Sequence, residues 1–347
     1  MTSRSSLLPP DAASLRRPAV ARLAWLMAGL GMLALLVIAS IAFGARDVSL
    51  GDIVAALSGD VSTVSTAAVV ARLPRTVLAI VVGAGLALSG AGLQAVTRNP
   101  LADPGIFGVS AGASLAVVSS IAFLGLANPY AYIALGILGA AAAAVFVYTV
   151  GSLGRGGATP LTLALAGAAT TAACISLVSA ILLPRVDILE TFRFWQVGGV
   201  GGATWDRIGI VAPFLVAGAL LCAVTARGMN SLALGDDVAT GLGERVFRTR
   251  LVATAGAVVL AGAATAIAGP IGFVGLVVPH LCRLLVGTDH RWLLPFSAIV
   301  GAGLLVAADV LGRVVARPEE IEVGIVTAVI GAPVFIWIVR RQKVRAL

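Results

Sequence analysis

Long apolar stretches, separated by short polar segments, run through almost the whole chain. An α-helix needs about 20 apolar residues to cross roughly 30 Å of hydrocarbon. The stretches that reach or approach this length are 23–43, 76–97, 106–126, 130–150, 160–183, 208–226, 251–268, 271–287, 294–311 and 323–339. The pattern therefore predicts an all-α polytopic membrane protein in which about ten transmembrane helices form a compact bundle.

Composition and charge support a membrane location and orient the chain. Hydrophobic residues make up 59% of the chain and charged residues 12%, whereas soluble domains are about 45–50% apolar and about 25% charged. With the N-terminus inside, 16 of the 24 Lys and Arg residues fall on the inner side, as the positive-inside rule favours. Ten crossings then place both termini in the cytoplasm (N-in and C-in). Basic residues scattered among short loops do not form a nucleic-acid surface.

The chain divides into a long membrane domain and two short ends. Residues 1–21 are polar and carry three prolines, so they are predicted to form a disordered cytoplasmic tail. The apolar run 23–43 exceeds the roughly 7–15 residues of a signal-peptide core, which favours a retained helix. Residues 22–343 are predicted to form the transmembrane domain, and residues 344–347 the cytoplasmic C-terminal end.

The sequence offers no candidate nucleotide or metal site. A P-loop requires a lysine that reaches the β- and γ-phosphates, and the single lysine, Lys343, lies near the C-terminus. Cys174, Cys222 and Cys282 have no C-x-x-C spacing, which argues against zinc and against a disulfide framework. We therefore expect this chain to bind no cofactor and no metal. If ATP drives the protein, another polypeptide binds the ATP and its magnesium.

Few ionisable residues lie inside the predicted spans, although an ion-coupled carrier needs them there. Asp309 lies near the outer end of the ninth span, and His280 lies beside Pro279 in the eighth. We expect Asp309 to form a structural pair with Arg313, and a direct role in transport is the alternative. For His280 the alternatives are helix packing at the proline break and a proton relay, which would need more partners.

Small residues recur within the predicted spans. The segment 83–92 reads GAGLALSGAG, and Gly108 with Gly112 and Gly136 with Gly139 occupy neighbouring helical turns. Small residues let helix backbones approach closely where lipid supplies no hydrophobic driving force. We therefore predict a densely packed bundle.

Six sequence blocks, in the same order, resemble one family of transport proteins. The segment RNPLADPGIFGVSAGAS, residues 98–114, interrupts the apolar pattern with a polar stretch that contains two prolines. Together with residues 71–97 it is similar to the signature of FecCD-type permeases, the membrane subunits of ABC importers for iron-siderophore complexes, haem and cobalamin. The other similar blocks are FWQVGGVGGATW (194–205), LALGDDVATGLG (232–243), AGPIGFVGLVVPHLCRLLVGTDHRWLLP (268–295), AADVLGRV (307–314) and VGIVTAVIGAPVFIWIVRR (323–341).

The resemblance implies a role for the polar break. In such permeases the second helix descends to an inner turn from which the third helix climbs. Asn99, Pro100 and Pro104 would form this elbow, because proline lacks a backbone donor and clashes with the preceding helical turn. The small residues that follow would pack near the axis of a permease dimer.

The resemblance also implies two partner surfaces. Arg72, Arg75 and Arg313 match outward-facing arginines that meet acidic residues of a substrate-binding protein, either periplasmic or lipid-anchored. Such pairing suits the guanidinium group, which binds carboxylates through two parallel hydrogen bonds. On the inner face, one segment matches the coupling helices that sit in a cleft of the ATPase. Its expected contact residues are Leu234, Gly235, Asp236, Asp237, Ala239, Leu242 and Gly243.

These features predict a permease of the bacterial inner membrane that has no enzymatic activity of its own. Two permease subunits, identical or homologous, would form a path with alternating access, controlled by a dimeric ATPase. Ferric siderophores are the expected cargo; haem or cobalamin is the alternative within the class, and a secondary carrier or channel without an ATPase is the alternative outside it. The polar residues that would line the path, or else join helices by hydrogen bonds, are Gln94, Thr170, Thr171 and Ser176.

Overall fold

A computed structural model describes residues 18–105, 107–125, 128–153 and 160–345. Every regular element in these ranges is helical, which confirms the all-α prediction. In chain order the helices are α1 (Ala19–Ala42), α2 (Leu50–Leu57), α3 (Val64–Thr97), α4 (Val109–Leu124), α5 (Pro129–Ser152), α6 (Pro160–Leu182), α7 (Val186–Val197), α8 (Trp205–Val224), α9 (Ala226–Leu232), α10 (Asp236–Gly241), α11 (Val246–Ala268), α12 (Val274–Val286), α13 (His290–Val315) and α14 (Val323–Arg345). Most of the predicted N-terminal tail, residues 1–17, lies outside the described ranges, as do residues 346 and 347.

Each predicted transmembrane stretch coincides with one of these helices. Within the described ranges, seven helices are long and apolar enough to cross a membrane: α1, α3, α5, α6, α8, α11 and α13. Three shorter apolar segments, Val109–Leu124, Val274–Val286 and Val323–Trp337, correspond to the three remaining predicted spans. The short helices α2, α7, α9 and α10 lie between spans.

The helix α3 lies in the interior of the bundle, whereas α1 lies at its edge. In the apolar window of α3, 72% of the residues are buried, against 6% in that of α1. The helix begins with a capping box in which the side chains of Thr63 and Thr66 each accept a hydrogen bond from the other's backbone N–H. Its main packing partners are α13, α11 and α12.

Glycine contacts bring helix backbones together around α3. A Cβ atom added to Gly83 would overlap the backbone of Gly301 in α13, and one added to Gly90 would overlap the backbone of Gly275 in α12. Gly112 of α4 makes the same close approach to the backbone of α5. These contacts confirm the predicted dense packing, because a larger side chain at any of these positions would push two helices apart.

Ion pairs form at both ends of the bundle. At one end, which we call the inner end, Arg22 near the start of α1 lies 3.7 Å from Asp289, the residue before α13. At the opposite, outer end, Arg75 of α3 contacts Asp309 in the last turns of α13. We use the name inner end because the predicted topology places the N-terminus on the inner side of the membrane.

Candidate functional site

Arg72 lies near the outer end of α3 and is buried, with 6% of its surface exposed. Its Nη1 atom donates hydrogen bonds to the carbonyl oxygens of Ile41 (2.8 Å) and Ala42 (3.2 Å), and its Nη2 atom donates to that of Arg46 (2.6 Å). The last carbonyl groups of a helix have no partner within the helix. Arg72 therefore caps the C-terminal end of α1.

A second group of polar side chains surrounds Asp309 of α13, whose side chain is fully buried. Arg75 Nε donates to Asp309 Oδ1 at 2.8 Å, and Arg313 Nη2 lies 2.8 Å from Asp309 Oδ2. Arg75 Nη1 also donates to Glu320 Oε2 at 2.5 Å, and Arg313 Nη2 donates to the hydroxyl of Ser40 at 2.8 Å. The expected pairing of Asp309 with Arg313 is confirmed. We call these five residues together with Arg72 the outer arginine network.

The network changes the interpretation of the three arginines. Arg72, Arg75 and Arg313 lie at the outer end, as the resemblance implies, but all three are buried. Carbonyl and carboxylate groups of the same chain already accept hydrogen bonds from these guanidinium groups. Their docking role stays a prediction, and it would require these internal contacts to open.

The segment that matches the coupling helices, residues 232–243, contains α10 and begins at the last residue of α9; we call it the coupling segment, and it lies at the inner end. Gly235 between these two helices has φ +102° and Gly243 after them has φ +83°, a backbone region that glycine adopts far more readily than other residues. The two glycines therefore set the angles at which the short helix α10 enters and leaves. The large apolar side chains that this segment exposes are Leu234 (60%), Val238 (52%) and Leu242 (65%).

Asp236 fixes the coupling segment to two long helices. Its Oδ1 atom accepts a hydrogen bond from Arg250 Nη2 of α11 at 2.8 Å and lies 3.2 Å from Nη2 of Arg98, which follows α3. Asp237 is exposed, whereas Ala239 is fully buried against the bundle and offers no free surface to a partner. Sequence reasoning missed the roles of Arg98 and Arg250, because only the fold brings them to one carboxylate.

The predicted elbow lies between α3 and α4. Arg98 ends α3 in the left-handed region, with φ +50°. Asn99 Oδ1 then accepts a hydrogen bond from the backbone N–H of Leu101 at 2.9 Å, which forms a local turn. Pro100 and Pro104 lie in the non-helical segment that follows. The helices therefore break where the polar segment predicted the break, next to the coupling segment.

The four predicted path residues occupy different environments. Gln94 is buried and donates to the backbone of α12, and Thr170 is buried and donates to the carbonyl oxygen of Ala166 in its own helix. Ser176 is exposed on the surface of α6. Gln94 also lies in the wall of a cavity at the inner end. Thr171 lines a separate cavity of about 470 Å³ among α4, α6 and α7. The polar residues of this cavity that sequence reasoning missed are Ser110, Ser114, Ser179 and Gln196.

The described part of the chain contains no group of three His, Cys, Asp or Glu residues that could hold a metal ion. Cys174, Cys222 and Cys282 are free and buried. A bundle with membrane-spanning helices, a cavity among them and an inner segment that ion pairs join to two long helices is typical of a membrane transport subunit. The chain belongs to the FecCD transport family, whose family model matches residues 32–341. It is a permease subunit of the bacterial inner membrane.

Individual relatives agree with this assignment. The ferric enterobactin transport system permease protein FepD of Escherichia coli (strain K12) is 44% identical over 90% of this chain and 94% of its own. The Fe(3+)-citrate import system permease protein YfmD of Bacillus subtilis (strain 168) is 46% identical over 78% of this chain and 80% of its own. A solved ABC transporter of the metal-chelate type, in an inward-facing conformation, matches with a TM-score of 0.80 and 29% identity over 92% of this chain and 99% of that chain.

Proposed function

We propose that this chain imports ferric siderophores as the membrane subunit of an ATP-driven transporter. The cargo is supported by the names of relatives that transport ferric enterobactin and Fe(3+)-citrate and that align over most of their own length. The ATP-driven mechanism is supported above all by the coupling segment. This segment exposes leucine side chains and is joined by ion pairs to two arginines elsewhere in the same chain. A surface loop that served only to join two spans would not need that combination.

The expected partner at the coupling segment is a dimeric ATPase. Leu234, Val238 and Leu242 supply an apolar contact surface, and Asp237 supplies an exposed charge beside it. Exclusion of water from such apolar side chains is the main favourable term in protein association. ATP and magnesium would bind to that partner, and this chain would need no cofactor.

Asp236 provides a direct route from the ATPase to the interior of the membrane domain. Its contacts with Arg98 and Arg250 join the coupling segment to the inner ends of α3 and α11. Both helices are largely buried, with 72% and 67% of their apolar windows inside the bundle. A displacement of the segment on ATP binding would therefore move interior helices, as rigid-body gating requires.

The cavity that contains Thr171 is the best candidate for part of the transport path. It lies among α4, α6 and α7, and α6 has only 28% of its apolar window buried. A second permease subunit, identical or homologous, would cover α6 and close the open side of this cavity. A substrate-binding protein, periplasmic or lipid-anchored, would deliver the ferric complex at the outer end.

Uptake of radiolabelled ferric siderophore, haem and cobalamin should be measured in cells that lack this chain, with and without its restoration. We expect only siderophore uptake to be lost and then rescued. Rescue of haem or cobalamin uptake alone would contradict the proposed cargo. Uptake that continues after depletion of ATP would contradict the ATP-driven mechanism and favour a secondary carrier.

A further inference from the structure

A cavity of about 940 Å³ opens at the inner end of the bundle, among α1, α3, α9, α12 and α13. It is lined by other residues than the cavity that contains Thr171. Four of its lining residues are arginines and one is an aspartate. Arg98 is already paired with Asp236 of the coupling segment, and the other three arginines leave the cavity with an excess of positive charge. The charged lining residues are Arg22, Arg98, Arg283, Arg291 and Asp289.

Asp289 does not neutralise this charge. Its Oδ2 atom lies 2.8 Å from Arg291 Nη2 and 3.7 Å from Arg22 Nη1, so one carboxylate serves two arginines. Hydrogen bonds from Arg291 and from Asn230 lower the pKa of Asp289 to about 2, although its partial burial acts in the opposite direction. Arg283 forms no ion pair with any described residue, and its Nη1 atom is buried without a hydrogen-bond partner.

Two buried side chains of the cavity wall also have an unused polar atom. Gln94 is 3% exposed, and its Nε2 donates to the backbone of α12 while its Oε1 has no partner in the described structure. His290 is 5% exposed, and its Nδ1 lies 2.7 Å from Asn230 Oδ1. Because an amide oxygen only accepts, Nδ1 carries the proton, and the unpartnered Nε2 atom is an acceptor.

The unpartnered atoms therefore define a specific ligand chemistry. Arg283 Nη1 and Arg22 Nε are charged donors, which suit the oxygens of a phosphate group. Gln94 Oε1 and His290 Nε2 are acceptors, which suit hydroxyl groups. All four atoms are buried in the cavity wall in this structure, so their side chains would have to rotate to present them to a ligand. A phosphate ester that carries hydroxyl groups satisfies both sets of atoms.

The position of the cavity indicates where such a ligand comes from. One wall is the first turn of α1, the helix at the edge of the bundle, and the following turns of α1 expose Leu23 (54%) and Met27 (60%). Basic pockets between membrane helices on the cytoplasmic side bind anionic lipid headgroups. We propose that this cavity binds the phosphoglycerol headgroup of an anionic inner-leaflet lipid, whose acyl chains lie along α1.

The full-length protein should be compared in nanodiscs of phosphatidylcholine alone and of phosphatidylcholine mixed with phosphatidylglycerol. The measurements are the thermal midpoint and the number of phosphatidylglycerol molecules retained in native mass spectrometry. We expect phosphatidylglycerol to raise the midpoint and to remain bound. Arg283→Gln should weaken retention at least about tenfold, because the lost contact joins two charged groups. Arg227→Gln is the matched control, since Arg227 is an exposed arginine of the inner end that does not line the cavity.

Further experiments distinguish a lipid headgroup from a soluble phosphate as the ligand, and they include a second variant in case the first does not fold. Inorganic phosphate and glycerol phosphate, added to phosphatidylcholine nanodiscs, should have no effect; stabilisation by them that Arg283→Gln abolishes would assign the site to a soluble phosphate instead. Arg22→Gln serves as a second cavity variant if Arg283→Gln does not fold. Equal retention of phosphatidylglycerol by wild type and by the cavity variant that folds would overturn the proposal. Loss of ATPase binding without any lipid effect would also overturn it, in favour of a protein contact.

Discussion

Replacement of Asp309 by Asn tests whether the outer arginine network holds the membrane domain together. The variant keeps the shape of the side chain and removes its charge. The Asp309 carboxylate lies 2.8 Å from Arg75 Nε and 2.8 Å from Arg313 Nη2, and none of its surface is exposed. The substitution therefore leaves two buried arginines without their common counter-charge.

The magnitude follows from what each arginine retains. Removal of one partner from a buried ion pair costs about 3–5 kcal/mol. Arg75 keeps Glu320, although 38% of that side chain is exposed, and Arg313 keeps its hydrogen bonds to Ser40. We therefore expect Asp309→Asn to lower the free energy of unfolding by about 3 kcal/mol, the lower end of that range.

The assay is unfolding in mixed detergent micelles, followed by tryptophan fluorescence. Asp47→Asn is the matched control at the same end of the bundle: Asp47 pairs with Arg317 at 2.7 Å, but its side chain is 89% exposed. Such an exposed pair contributes about 0–1 kcal/mol. If Asp309→Asn and Asp47→Asn destabilise the protein equally, the network does not have the structural role that its geometry indicates.

Three further predictions concern the other sites. Gly235→Val should reduce uptake while the ATPase continues to hydrolyse ATP, because valine cannot easily adopt φ +102°; normal uptake per ATP would contradict the coupling role. Thr171→Phe should block uptake by filling the cavity on α6, whereas Met32→Phe, on the exposed surface of the edge helix α1, should fold and transport; equal effects would contradict the path assignment. Since the pKa of Asp289 falls from 3.8 to about 2 on folding, its stabilising effect is complete above pH 3.8 and is lost as the pH falls through about 2. The difference in thermal midpoint between wild type and Asp289→Asn should follow that course, and a constant difference across this range would contradict it.

The hydrophobic pattern predicted the number and place of the long helices, but not their full lengths. The second predicted span begins at residue 76, whereas α3 begins at Val64. The added turns contain Arg72 and Arg75, whose charges lower the hydropathy of any window that includes them. These turns are stable because the fold buries both arginines against partners, which a local average of hydropathy does not register. The helix α7 was not predicted because its charged residues lower the mean hydropathy of that stretch.

The roles of individual site residues were harder to predict. Arg75 contacts Asp309 and Glu320, which lie 234 and 245 positions away in the chain. A sequence motif can indicate that such an arginine lies at the outer surface. Only the tertiary structure shows that carboxylates of the same chain already pair with it. The roles of two polar residues in α6 were equally hard to predict from the sequence. Thr171 and Ser176 are both small and polar in an apolar helix, and their neighbours, rather than the residues themselves, decide which one faces a cavity.

The arrangement around Asp236 has a consequence for the direction of signalling. Arg98 and Arg250 approach the same oxygen atom, Oδ1, and all three side chains are partly exposed. Because each such contact contributes only about 0–1 kcal/mol, the carboxylate can leave one arginine and keep the other at little cost. The coupling segment could thus keep one of the two contacts while it loses the other, in which case the proposed displacement would act on α3 and α11 in sequence rather than together.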